Sequence, residues 1–158
     1  MDELSVISLE QAKNHLVVLN DNFYDAQITG IIKTAVGMVE QYTDYRLYQR
    51  DVDIPLVDCR QDITLYPITI NGIDNDGSDQ AYKAIQRTLS IVVTCPTWYN
   101  SVLKATVGYD DLTEIPQPLI GACYKIITYL FENKDAYEAT IPYDVQCMIN
   151  QFRRSATI

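Results

Sequence analysis

The sequence predicts an α+β protein, mainly α: a bundle of about four helices with a small antiparallel β-sheet inserted between the second and third long helices. Two stretches, 23–42 and 116–132, repeat apolar residues at three- and four-residue spacing, the period of a helix with one buried face. Between them, residues 49–108 switch to period two and to β-branched residues. The chain is 158 residues long and 47% hydrophobic, which suits one domain with a sizeable core. The expected division of that single domain, 1–158, is helical over 8–48, strands over about 49–108, and helical again over 116–154.

In chain order, Ser8 followed three residues later by Gln11 is a capping-box pattern. It opens a short helix with Leu9, Ala12 and Leu16 inward and His15 beside the stripe. Asn20-Asp21-Asn22 breaks the chain and offers a cap to the next helix. There Ile28, Ile32, Ala35, Val39 and Tyr42 form a 4-3-4-3 seam, widened by Ile31 and Met38. Gly30 and Gly37 interrupt it seven residues apart. Each glycine costs a helix about 1 kcal/mol against alanine. The pair reads either as close approach of another helix, in this subunit or a neighbour, or as tolerated surface glycine.

The strand section opens with the alternation of 50–54, followed by 63–65 and 68–70. Asn71-Gly72 reads as a turn, and 74–79 as a polar loop. Two apolar runs follow, 89–93 and 102–107, joined by a bend at Cys95-Pro96-Thr97-Trp98. Four to six short strands are expected. Pro116 and Pro118 then start the last long helix, where a missing N–H costs nothing. Leu119, Ala122, Cys123, Ile126, Ile127 and Leu130 share its inner face. A polar break, Asn133-Lys134-Asp135, precedes Pro142 and a final segment with Val145, Met148, Ile149 and Phe152.

Composition excludes several functions. A formal charge of −9 and a pI near 4.4 do not suit tight, non-specific duplex binding, which neutralises phosphates with Lys and Arg. The opening residues carry acid rather than a basic leader, and no apolar run approaches the ~18–20 residues of a membrane span. The four cysteines, at 59, 95, 123 and 147, lack zinc-type spacing and read as free thiols in a reducing compartment, Cys123 and Cys147 within apolar helical faces. A calcium loop starting at Asp74 fails, because its sixth and twelfth places hold Asp79 and Ile85. Asp110-Asp111 is a carboxylate pair without a written basic partner. With one histidine, His15, and no nucleophile, phosphate-loop or dinucleotide motif, the chain reads as a non-enzyme with no cofactor or metal. Twelve tyrosines against three phenylalanines suit either half-wet contact surfaces or a tyrosine-rich core rim.

Four motifs in order resemble the head–tail connector proteins of long-tailed bacteriophages, also called adaptor or head-completion proteins. Ser8 to Leu16 is similar to the family's leu-x-x-ala-lys-x-x-leu opening, and 20–25 to the acidic break that follows. Glu40-Gln41-Tyr42-Thr43-Asp44-Tyr45-Arg46-Leu47 is similar to its Glu-x-Tyr-Thr-x-x-Arg-x-Leu helix ending. Gly108-Tyr109, then Pro116, Pro118, Leu119, Ile120 and Ala122 and the ending 130–134, match the next helix. Ile141-Pro142-Tyr143-Asp144-Val145 and Phe152-Arg153-Arg154 match the last. Phe131 and Lys134 stand where Tyr and Arg are common, and the middle section is unusually long.

The resemblance implies a structural virion protein of phages, prophages or gene-transfer agents, made in the bacterial host cytoplasm and placed in the neck at the capsid vertex. Such a protein forms a homo-oligomeric ring, typically of twelve, under the portal protein. It extends the channel through which packaged DNA passes and offers the docking surface for the stopper or tail. The C-terminal segment then docks on the portal through Phe152, Arg153, Arg154 and Ile158, and deleting everything after Gln151 leaves the fold intact. Gly30, Ala35, Gly37 and Tyr45 are expected at the subunit interface. Seven acids against two lysines between Ala105 and Phe152 suggest a wall that keeps DNA sliding, with Asp110, Asp111, Glu114 and Glu132 facing the channel. A stopper or tail-terminator protein of the same neck, a monomeric protein-binding module, and a weakly marked enzyme using the Asp110-Asp111 loop are the alternatives.

Overall fold

The computed structural model describes residues 2–18, 22–133 and 140–154. Three short helices, α1 (Glu3–Val6), α2 (Leu9–His15) and α5 (Tyr143–Ile149), surround two long ones, α3 (Asp25–Thr43) and α4 (Gln117–Glu132). Between α3 and α4 run seven strands: β1 (Arg50–Pro55), β2 (Arg60–Ile63), β3 (Ile68–Asn75), β4 (Ser78–Asp79), β5 (Lys83–Gln86), β6 (Ile91–Thr94) and β7 (Ser101–Val107). They form two antiparallel sheets, ordered β1-β7-β3-β4 and β2-β6-β5.

This corrects the expected mainly-α bundle with one small sheet: five helices and seven strands in two sheets make the described residues a mixed α+β fold. Two physical causes stand behind the difference. Three of the five helices are only one or two turns long, so they prop the α3–α4 pair rather than extend a bundle. Strands β4 and β5 are exposed at every residue, so no buried face imposes the alternation by which a strand announces itself. Asn71-Gly72 is likewise not a turn. It lies within β3, where the pairing with β7 slips between Ile70 and Gly72 as a bulge.

The α3 seam forms as its spacing demands: Ile28, Ile32, Ala35, Val36 and Val39 are fully buried against Leu119, Ala122, Cys123, Ile126 and Ile127 of α4. The capping box opens α2, with the Ser8 hydroxyl accepting from the Gln11 N–H at 3.2 Å and the Gln11 side chain accepting from the Ser8 N–H at 2.8 Å. His15 links α2 to α4: its Nε2 lies 3.0 Å from the Thr128 hydroxyl, and its ring 4.7 Å from that of Tyr124. A second cluster lies between the sheets, where Ile63 and Val93 meet Ile73 and Leu103, closed by Leu56 and Cys95. The β3–β4 hairpin turns through Asp76 and Gly77, both at positive φ, and the Asp74 carboxylate accepts the Gly77 N–H at 2.8 Å.

Candidate assembly surfaces

The sequence 40–47 builds the exit from α3. Asp44, at φ 61°, ends the helix in the left-handed region, and its N–H still donates to the Glu40 carbonyl at 3.0 Å. The Thr43 hydroxyl donates to the Val39 carbonyl and accepts the Tyr45 N–H. Glu40 sits on the buried side of the helix, 6% exposed. One of its oxygens accepts the Leu47 N–H at 2.8 Å, and the Arg50 guanidinium grips both oxygens at 3.1 and 2.7 Å. Arg46 donates to the Glu40 carbonyl at 3.1 Å, and Arg50 lies 4.4 Å over the Tyr48 ring. A bidentate pair of this kind fixes direction as well as distance, so the chain enters β1 on a set course.

The sequence motif contained Glu40 and Arg46 but gave Arg50 no role. A carboxylate in line with the apolar residues of a helical seam was the signal that a cation had to be near.

Gly108 lies beside this joint at φ 95°. A Cβ on it would overlap the Tyr48 carbonyl. Only glycine fits, which gives the Gly108-Tyr109 motif a steric meaning. Burial pushes the Tyr109 hydroxyl up to about 12, helped by Tyr45, Tyr66 and Glu114 nearby. Gln49, Tyr66, Thr69, Asp110 and Glu114 border a shallow groove of about 270 Å³ along the same edge.

Asp110, Asp111 and Glu114 are exposed in the loop before α4. Asp111 caps the turn Leu112–Glu114: its carboxylate accepts from the Thr113 hydroxyl at 2.7 Å and the Thr113 N–H at 2.8 Å, which holds its pKa below the usual range. Glu132 is exposed as well but lies at the opposite end of α4, roughly 20 Å away by helical rise. The four acids therefore make two surfaces rather than one. Asp135 and Glu138 lie outside the described residues.

The C-terminal segment departs most from expectation. Arg154 is 8% exposed and turned into the protein. Its N–H donates to the Thr43 carbonyl at 3.1 Å, its Nε to the Thr64 carbonyl at 3.3 Å and an NH2 group to the Thr88 carbonyl at 3.5 Å. Its guanidinium lies 4.3 Å over the Tyr66 ring. Arg154 is thus a staple between the end of α3 and the β2-β6-β5 sheet, with no free surface for a portal. Phe152 is half-buried with its ring against Tyr45, while Arg153 is exposed beside Tyr42. Ile158 lies outside the described residues.

Among the expected interface residues, Ala35 faces the chain's own core and offers no surface. Tyr45 is occupied by Tyr66 and Phe152. Gly30 and Gly37 are exposed on α3, with nothing within 4 Å of a Cβ built on either, so among the described residues no helix approaches them closely. Of the cysteines, Cys95 and Cys123 are buried, and burial pushes the Cys123 thiol up to about 12. Cys147 is exposed, on the outer side of a two-turn helix rather than within its apolar face. Among the described residues, no group of three or more His, Cys, Asp or Glu is placed to hold a metal ion, and no helix is long and apolar enough to cross a membrane.

A fold with these features, two long antiparallel helices carrying a paired-sheet insertion, is found in assembled particles. The sequence matches no family model and no curated protein. Solved structures do share the fold. A chain from the neck of a native GTA particle computed with C12 symmetry is 14% identical, with a TM-score of 0.74 over 98% of this chain and 92% of that one. A chain from the neck of an empty GTA particle computed with C6 symmetry is 13% identical, with a TM-score of 0.70 over the same shares. A chain of the virion of a native gene transfer agent particle is 14% identical, with a TM-score of 0.70 over 100% of this chain and 94% of that one. At such identities the likeness is one of fold. The neck is also where the family that the sequence motifs resemble is expected.

Proposed function

We propose that the protein is a structural component of a phage-like particle's neck: a head–tail adaptor that forms a ring under the portal, without catalysis or cofactor. The observation that carries this is the likeness of fold over nearly the whole of both chains to a neck chain from a particle computed with C12 symmetry. The ordered motifs at 8–16, 40–47, 108–134 and 141–154 support it as well. The whole of 1–158 acts as one connector domain in this reading, and the ring lies in the virion.

Within the ring, Asp110, Asp111 and Glu114 form an acidic edge along the DNA path, where like charge keeps the duplex off the wall. Glu132 belongs to a different level. Portal docking falls to Arg153 and the edge of Phe152, Arg154 being committed inside the subunit. The stopper or tail docks on the opposite rim.

The test is to mix the purified chain with the cognate portal ring and measure mass and symmetry by electron microscopy. A new ring of density under the portal is the expected result. Density that joins only beneath an existing adaptor ring would make the protein a stopper. A monomer that binds neither would refute the neck reading.

A further inference from the structure

Of the outer strands of the two sheets, β5 and β1 differ in charge. β5 is an outer strand of the β2-β6-β5 sheet, and residues 81–89 are all exposed. That arm carries Tyr82, Ile85 and Leu89, each 39–48% exposed, together with Lys83 and Arg87. Residues 80–100 hold no acid at all, in a chain of net charge −9. β1 is an outer strand of the other sheet, with Asp51 and Asp53 on its exposed face. Asp51 accepts the Thr106 hydroxyl at 2.7 Å and Arg87 stands 3.8 Å from Asp62; Lys83 has no ion-pair partner among the described residues, and Asp53 lies opposite Lys104 of β7, whose ammonium bonds Asp74 at 2.8 Å.

We infer that the β5 arm of one subunit seats on the β1 edge of a second copy of this chain, Lys83 toward Asp53, and that this contact joins neighbours in the ring. The inference rests on the ring reading above. A bare strand edge is a template for another strand, and natural proteins guard it with charge. Here the guard is selective. Lys83 repels a second β5, and Asp51 with Asp53 repels a second β1, so each edge rejects itself and accepts the other. An interface between unlike faces is heterologous, the type that closes rings rather than two-fold dimers. Ile85 and Leu89 add apolar area that a monomer leaves in water.

The experiment compares wild type, Lys83→Glu, Asp53→Lys and the double variant. Assembly is followed by native mass spectrometry over a concentration series, and on the cognate portal ring by electron microscopy. Both positions are exposed, so all four proteins should unfold at closely similar temperatures. Each single reversal is expected to raise the concentration for half-assembly about tenfold, and the double variant to return it to within about threefold of wild type. Rings from the single variants at wild-type concentration, or no rescue in the double, would overturn this pairing alone. Wild type that never assembles, even on the portal, would overturn the ring reading with it. Lys83→Glu rings that form normally but lose a short DNA duplex, or fail to seat on the portal, would assign the arm to that partner and overturn the contact.

Discussion

Replacing Arg154 with alanine separates a fold-forming role from a docking role. The change removes two hydrogen bonds, at 3.3 and 3.5 Å, from a charged donor to backbone carbonyls. Both are near the long limit, so together they contribute about 1 kcal/mol. Stacking on Tyr66 at 4.3 Å adds about 1 kcal/mol. Burial of the side-chain stem adds about 1 more, and release of a desolvated charge gives roughly that back. The Thr64 and Thr88 carbonyls can turn to water, since neither residue is buried. The net loss is about 2 kcal/mol, or about 4–8 °C in Tm for a chain of this size. Arg154→Lys keeps the charge but not the plane and should recover less than half. The assay is urea unfolding followed by fluorescence of Trp98, the chain's one tryptophan, which packs on the cluster between the sheets. Hydrogen exchange should rise around 60–66 and 86–90. A loss under about 0.5 kcal/mol, with unchanged exchange there, would refute the staple. The expectation that removal of everything after Gln151 spares the fold is thereby revised. Such a truncation removes the staple too, and lost portal binding in it would not by itself report docking.

Gly108→Ala meets both a positive φ and the Tyr48 carbonyl, so the urea midpoint should fall by the equivalent of about 3 kcal/mol or more, and a neutral result would contradict the joint described for Tyr48. Glu40→Gln keeps an acceptor for Leu47 but leaves the part-exposed Arg50 without its counter-charge; about 2 kcal/mol is expected, and a double-mutant cycle with Arg50→Met should return most of it as coupling. Maleimide labelling of the native protein, read by intact mass, should add to Cys59 and Cys147 alone, with Cys95 and Cys123 reacting only after unfolding. The Tyr109 hydroxyl is held neutral by burial, so its folded pKa lies above the unfolded one. Its stabilisation is fully present below the unfolded value and is lost as pH rises through about 12. Tyr109→Phe should therefore flatten the alkaline fall in Tm in the window between the ordinary tyrosine pKa of about 10 and that upper value.

The long helices, the capping box and the strand-rich middle were legible because each leaves a local mark. Ile28, Ile32, Ala35 and Val39 repeat at helical spacing because α4 covers one face of α3, and Ser8 and Gln11 satisfy each other within one turn. The division into two sheets was not legible. In the second sheet β5 has no buried residue to impose a period, and β4, at the edge of the first, is two residues long. Asn71-Gly72 has the composition of a turn, and its use as a bulge is decided by β7, some thirty residues later in the chain. Arg50 was given no role, and Arg154 was expected at the surface, for a shared reason. Their partners, Glu40 in one case and the Thr64 and Thr88 carbonyls in the other, are brought to them by the fold, and sequence spacing does not encode that meeting.

The residues that carry the family resemblance fall mostly at joints of the subunit itself. Glu40 to Leu47 turns α3 into β1, Gly108 clears the Tyr48 carbonyl, Leu119 and Ala122 fill the core, Val145 closes it, and Arg154 staples the two halves. Such positions are constrained by packing and hydrogen bonding within the subunit. A contact with a neighbour faces a different constraint, because both sides of it can change together. Partner choice in this protein should then reside in surface stretches without a motif, such as the arm 81–89 and the loop 110–114, rather than in the residues by which the fold is recognised.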